Sequence, residues 1–395
     1  MKLQVQSSRA LHSALQKSMK CISSKPMLSI LENALLVKKD NGKFYIVSST
    51  SDAQLTIPAP FSEVDGVFAS PVTLPVKILV NFLSTLPDCT VTFEFDKELK
   101  NVTLTYCTES KEKVKSGSAS FAVGDGNDFP LIQAEDGDDT HIALPMQIFN
   151  NIVAKSEKFV GDNDLRPILS CLCLDIASDW SDVVFAASDG HVLMKEVYPN
   201  DPQKGGSDFS RGGVPRKILL HKQYFRVLSV FDEAEMIDIK SNGKMIHFLS
   251  DDMDFICRHV EGKYPNYNSV IPRDNPYAVC FDKKEFLTTV KRVILFANEA
   301  TNLITLKKDG LFLDISAENV DFAKSCDDQV LVSEANCPDG IRIGFNARDL
   351  SDTIDAVSSD TIRMQLSDPS KAVVFTADDP SPKGLTLCMP CIVDD

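Results

Sequence analysis

The sequence predicts an α+β protein of three repeated domains, each with two helices packed on antiparallel sheet. Three observations carry that prediction. A unit of short amphipathic helix, Asp-containing turn and alternating strand recurs three times, and a second type of helix precedes each copy. The runs between the helices are rich in β-formers and meet at Asn-Gly or Asp-Gly pairs, the pairs that favour tight hairpins. Successive helix pairs lie about 130 residues apart, so the repeat fills the chain of 395 residues.

Taken in order, the first helix is read in SSRALHSALQKSMK and the second in the segment from Leu74, LPVKILVNFLSTLPDCTVTFEFD. The next pair is LPMQIFNNIVAKSEKFV from Leu144 and VPRKILLHKQYFRVLSVFDEAEMIDIKSNG from Val214. The last pair is FDKKEFLTTVKRVILFANEA from Phe281 and FNARDLSDTIDAVSSDTIRMQLSD from Phe345. Hairpins are expected at Asn41-Gly42, Asn242-Gly243 and Asp309-Gly310. Polar, turn-rich stretches at 134–140 and 272–276 suggest boundaries, giving domains at 1–133, 140–272 and 273–395. The segment 199–213 reads as a loop within the second domain.

Composition limits the function classes. Hydrophobic residues at 43% and charged residues at 25% are ordinary for a globular chain and exclude wholesale disorder. No apolar run approaches the roughly 20 residues of a membrane span, and the first residues lack a signal-peptide core, so a soluble protein of the cytoplasm is expected. With 41 Lys+Arg against 56 Asp+Glu the net charge is −15, which argues against indiscriminate nucleic-acid binding while allowing a local basic surface. The 11 cysteines read as reduced thiols. Cys171 and Cys173, with Cys388 and Cys391, could supply four thiolates to a metal or a redox pair, but both segments read as core strands, and no metal or cofactor is expected.

The polar faces of four helices carry the informative pattern. Rows at helical spacing contain Arg9, Ser13, Gln16 and Lys20, with Lys17 beside them; Lys77, Asn81 and Ser84; Gln147, Asn151, Lys155 and Lys158; and Lys284, Thr288 and Lys291, flanked by Arg292. None of these rows contains an acid, although acids predominate in the chain. A solvated face explains any one of them. All four together favour a shared uncharged-to-basic surface facing a polyanion whose sequence is not read. Catalytic motifs are missing: there is no H-E-x-x-H, G-x-S-x-G, P-loop or Rossmann fingerprint. The most site-like run holds Ser188, Asp189 and His191, where a turn competes with a hydrolase triad. A binding protein is the better class, with a DNA-free repeat scaffold and that hydrolase as alternatives.

Eight segments carry a resemblance: KPMLSILENALLV (25–37), SGSASFAVGDGNDFP (116–130), ASDGHVLM (187–194), GKYPNYNSVIP (262–272), RVILFANEATNLITL (292–306), IGFNARDLSDTIDAV (343–357), IRMQLSD (362–368) and LCMPC (387–391). In order and spacing they resemble the bacterial DNA sliding clamps, the beta subunits of DNA polymerase III, over essentially the whole chain. The resemblance implies three clamp domains per chain and a head-to-tail homodimeric ring whose helices line a hole for double-stranded DNA. It implies a processivity factor without catalysis of its own. On it, Lys25 and Arg166 contact DNA, and two aromatics that follow this arginine in the family are here Pro167 and Ile168. A hydrophobic cleft for peptides of the clamp loader, the replicative polymerase and other DNA-handling proteins falls on Leu169, Ser188, Gly190, His191, Leu193, Pro265, Val270, Asn346, Leu387, Met389 and Pro390. Leu295 and Phe296 match the apolar pair of the dimer interface. The chain departs from the pattern at Val192 and Ser269, where the family often has arginine, and at Asp349, where it often has an aromatic; it ends CIVDD. Those departures imply weaker selection for an acidic or glutamine head group on the peptide.

Overall fold

The computed structural model describes residues 1–110, 113–133, 140–162, 165–201, 208–212 and 216–393. The boundary expected at 134–140 falls outside them except for Thr140; of the loop expected at 199–213, residues 202–207 and 213 lie outside, and Asp208–Gly212 is a strand at the edge of a sheet instead of loop. Six α-helices occur among the described residues: α1 Ser8–Met19, α2 Val76–Ser84, α3 Met146–Ser156, α4 Phe225–Leu228, α5 Lys283–Val293 and α6 Ala347–Asp355. Their starts follow capping chemistry. The Ser7 hydroxyl accepts Ala10 N–H ahead of α1, the Asp282 carboxylate accepts Glu285 N–H ahead of α5, and the Asn346 amide oxygen accepts from Arg348 and Asp349 ahead of α6.

The fourth helix departs from expectation. The segment from Val214 gives a strand at Lys217–His221 and then only one α-helical turn, flanked by 3-10 turns at Lys222–Tyr224 and Ser229–Phe231. Tyr224, Phe225, Val227, Leu228, Val230 and Phe231 are all buried. Apolar side chains at nearly every position exceed the single stripe that a regular helix buries, and the tighter turns accommodate the surplus. The three hairpins form as read, with Gly42, Gly243 and Gly310 at positive φ, the left-handed conformation that glycine adopts without a Cβ penalty.

The chain divides into two compact units: residues 1–150 with 211–214 and 223–259, and residues 151–210 with 215–222 and 260–395. In the first, α1 and α2 pack together, and strands Lys2–Val5, Ser62–Asp65, Val91–Phe95, Asn101–Ser110 and Lys113–Ala122 form a five-stranded sheet. A second sheet in this unit joins the first repeat to the middle one, because Ala53–Ala59 pairs antiparallel with Met253–Arg258, Leu55 opposite Phe255. In the second unit the same device joins the middle repeat to the last: Val192–Pro199 pairs antiparallel with Gly384–Cys388.

Three of the four cysteines singled out from the sequence are core residues; the fourth, Cys391, is exposed beyond the end of the strand Gly384–Cys388 and does not fit the core-strand expectation. Cys171 and Cys173 lie on the strand Cys171–Ile176, and both are buried with Leu193, Leu219 and Tyr264; Cys388 is buried as well. Burial pushes the Cys171 thiol up to about 12, and Cys173 and Cys388 are raised further by the same cause, so all three stay protonated and inert.

Candidate functional site

The acid-free rows project from α1, α2, α3 and α5 as exposed faces, because Leu11, Leu15, Leu79, Leu83, Ile152, Phe286 and Val290 take the opposite stripe into the core. In the first unit Arg9, Lys25 and Lys77 are exposed without an ion pair among the described residues. Lys17 bonds Glu233 at 3.1 Å, and Lys20 donates to the Ser229 hydroxyl. In the second unit Arg166, Lys284 and Lys291 are exposed, again without an ion pair among the described residues.

Lys155 and Lys158 differ from expectation. Lys155 is 13% exposed and donates to Glu196, 15% exposed, at 2.8 Å, and also to Ser358. It is held in a largely buried pair and does not reach outward. Lys158 bonds Asp355 at 2.7 Å and Asp352 at 3.2 Å. Both carboxylates stand on α6, whose exposed side carries acids and so does not continue the acid-free pattern of the other helices. Lys158 holds the Asp355 carboxyl below its ordinary value by hydrogen bonding and charge. The sequence rows are read one helix at a time, and these counter-charges come from other elements.

The residues expected to line a peptide cleft all lie in the second unit. The turn after the strand Asp182–Ser188 is closed by the Asp189 carboxylate, which accepts His191 N–H at 2.7 Å and Val192 N–H at 2.9 Å. Ser188 donates its hydroxyl to Val192 carbonyl oxygen at 2.7 Å. Gly190 takes φ +103°, which fits the absence of a side chain there. These bonds spend Ser188 and Asp189 on the turn, and the alternative of a catalytic relay with His191 has no hydrogen bond to carry it among the described residues. Met389 N–H donates to His191 carbonyl oxygen at 2.8 Å, so the chain leaving Gly384–Cys388 is fastened to the turn. Leu169 lies in the 3-10 turn Pro167–Ser170, and Asn346 caps α6, which packs on both strands of the joint.

Two of the expected cleft residues lie deeper than expected. Leu193, 1% exposed, stands opposite Leu387 in the strand pair, and both belong to one core cluster. They are core residues, whereas Val270 at 56% and Met389 at 39% exposure are the apolar members of the expected set that lie at the surface. Asp349 is half-buried above the turn without an ion pair among the described residues. Burial first, then the Asp189 carboxylate, push its carboxyl above the ordinary aspartate value, against the opposing influence of His191. The surface expected to receive the peptide therefore combines exposed apolar side chains at Val270 and Met389 with an acidic group at Asp349. Elsewhere in the second unit, the 3-10 turn Ile294–Phe296 after α5 leaves Leu295 and Phe296 exposed.

Three like repeats joined by shared sheets, with helices that present cations in a strongly acidic chain, define a protein of the clamp type. Family models for the N-terminal, central and C-terminal domains of the DNA polymerase III beta subunit match residues 1–132, 143–266 and 268–390. A beta sliding clamp of Synechocystis is 27% identical over 375 residues, covering 93% of each chain, and that of Bacillus subtilis is 23% identical with 93% of each covered. In fold the chain is similar to the sliding clamp of Pseudomonas aeruginosa solved with griselimycin, at a TM-score of 0.84, 19% identity and full coverage of both chains. It is also similar to the DNA polymerase beta subunit of Streptococcus pyogenes, at a TM-score of 0.85, 16% identity and the same coverage. The chain belongs to the DNA polymerase III beta subunit family, the sliding clamps, which are non-catalytic processivity factors of DNA polymerase.

Proposed function

We propose that two copies of this chain close head to tail into a ring around double-stranded DNA, tether the replicative polymerase of the DNA polymerase III holoenzyme, and work in the cytoplasm at the replicating nucleoid. The observation that carries this reading is the set of acid-free helix rows in a chain of net charge −15. Arg9, Lys25, Lys77, Arg166, Lys284 and Lys291 are the cations available to phosphates; Lys17, Lys20 and Lys158 add to the field while held by their neighbours, and Lys155 serves the fold. Contacts so sparse suit sliding, because no base edge is read and no phosphate is held tightly. Leu295 and Phe296 join the subunits through a small apolar cluster. Short hydrophobic segments of the clamp loader, the polymerase and repair proteins enter the second-unit cleft over Val270 and Met389.

The test is topological. Binding to linear duplex is weak and falls steeply with salt, since it rests on counterion release. Ring escape requires a protein interface to part, and salt weakens that far less than phosphate contacts. Clamp loaded on a nicked circle therefore survives a wash at about 0.5 M salt and runs off within minutes once a single cut linearises the DNA. Equal retention on circle and line refutes the ring.

A further inference from the structure

The joint between the first and middle repeats reproduces, bond for bond, the joint that carries the cleft. The Thr50 hydroxyl accepts Asp52 N–H at 3.3 Å and Ala53 N–H at 3.0 Å, as Asp189 accepts from His191 and Val192. Arg258 N–H donates to Asp52 carbonyl oxygen at 2.9 Å, as Met389 donates to that of His191. Ala53 stands opposite Cys257 in its strand pair, as Val192 stands opposite Cys388. Leu31 sits in the 3-10 turn Ser29–Glu32, as Leu169 sits in Pro167–Ser170. Tyr224 follows the end of the strand Lys217–His221 by three residues, as Asp349 follows the end of Arg342–Asn346.

A cavity of about 290 Å³ opens at this first joint, over Leu31, Tyr224 and Val227. Its charge is opposite to that of the cleft in the second unit. Lys20, Lys25 and Arg226 border it, and Lys25 and Arg226 have no ion pair among the described residues. The carboxylate at the turn, Asp52, is already held by Arg258 at 3.0 Å. Met27, almost fully exposed, stands at the mouth. Ser23, Ser24 and Arg226 also border a second cavity of about 690 Å³ that continues to Met19 and Ile78, both exposed apolar residues. The two share Ser23, Ser24 and Arg226 and make one groove with an apolar floor, whose edge carries Lys20, Lys25, Lys77 and Arg226 against Asp52, held by Arg258, and Glu32.

We propose that this groove is a second docking site of the clamp, for a partner segment that carries carboxylates beside a short apolar anchor. Charge complementarity selects the carboxylates, and Leu31, Tyr224 and Met27 receive the anchor. Lys20, Lys25 and Lys77 border the groove and also belong to the surface offered to phosphate, so a docked segment and duplex compete for these cations; the apolar floor is what the segment uses and a phosphate backbone does not. The site is separate from the cleft at Met389 and stands if the reading of that cleft fails.

The experiment uses the full chain and a fluorescein-labelled octapeptide, Glu-Asp-Leu-Glu-Leu-Phe-Asp-Gly, followed by anisotropy. Binding is expected to weaken about tenfold or more with Arg226→Glu and severalfold with Met27→Ala, both exposed positions whose replacement leaves the core untouched. Met389→Ala is expected to leave it unchanged, and a peptide with lysines for the acids is expected not to bind. The proposal is overturned if the lysine peptide binds as well, if Met389→Ala and not Arg226→Glu removes binding, or if Arg226→Glu weakens binding of a short DNA duplex while the acidic peptide is unaffected.

Discussion

Replacing Leu295 and Phe296 together by alanine tests the ring at its weakest point. In the isolated chain Leu295 is 73% exposed and Phe296 36%, and these fractions are what a partner subunit can still remove from water. Full burial of such a side chain is worth about 1.5–3 kcal/mol, so Leu295 contributes about 1–2 and Phe296 about 0.5–1 kcal/mol to each interface. A head-to-tail dimer closes through two equivalent interfaces, so the double variant loses about 3–6 kcal/mol per ring. At 1.4 kcal/mol per factor of ten, the dimer dissociation constant rises about 10²–10⁴-fold. Neither residue is in the buried core, so Tm should hardly move. Sedimentation velocity over about 10 nM to 10 µM reads the shift from dimer to monomer. An undiminished dimer throughout that range places the interface elsewhere, and a monomer that appears only with a collapse in Tm shows unfolding instead of dissociation.

At the second-unit cleft, Met389→Ala with Val270→Ala should weaken an apolar clamp-binding peptide by about 2 kcal/mol or more, close to 30-fold, with the dimer and Tm intact; unchanged fluorescence polarisation refutes the assignment. Leu193→Ala should behave differently, lowering fold stability by about 2–4 kcal/mol in urea unfolding because it opens a cavity in the core beneath. Asp349→Asn should raise Tm at pH 7. A carboxyl raised in the folded state costs stability wherever it is ionised, so the gain is full above the folded pKa and disappears as the pH falls to the ordinary aspartate value near 4. A gain that persists below that pH shows that Asp349 acts through packing and not through its charge; Asp189 and Asp352 raise its carboxyl alongside burial, and His191 opposes them.

The fold was legible where a local pattern coincides with a local structure. Asn41-Gly42 marks its hairpin because the turn itself needs positive φ, and Ser7, Asp282 and Asn346 mark helix starts because their side chains bond within three residues. The segment around Tyr224–Phe231 was not legible as a single turn of helix. Its apolar residues satisfy a helical period and much else besides, and only the surrounding core decides how they are wound. The same limit governs the depth of cleft residues. Leu193 and Met389 are equally apolar in sequence, yet strand pairing with Leu387 puts one in the core and leaves the other at the surface.

Electrostatics was legible along elements and hidden between them. Each acid-free row could be read from spacing alone, but the acids that silence Lys155 and Lys158 lie on a strand at Glu196 and on α6 at Asp352 and Asp355, about 40 to 200 residues away along the chain. What remains after that pairing is a small set of uncommitted cations: Arg9, Lys25 and Lys77 in one unit, Arg166, Lys284 and Lys291 in the other. Tight binding of duplex would need a larger set, since each neutralised phosphate adds to both affinity and salt dependence. Under the proposed function, a DNA-facing set reduced to these cations gains little from holding DNA by charge, and closure around the duplex supplies the retention that charge does not. On that proposal, the pairing of Lys155 with Glu196 and of Lys158 with Asp352 and Asp355 favours sliding by leaving fewer cations for phosphate.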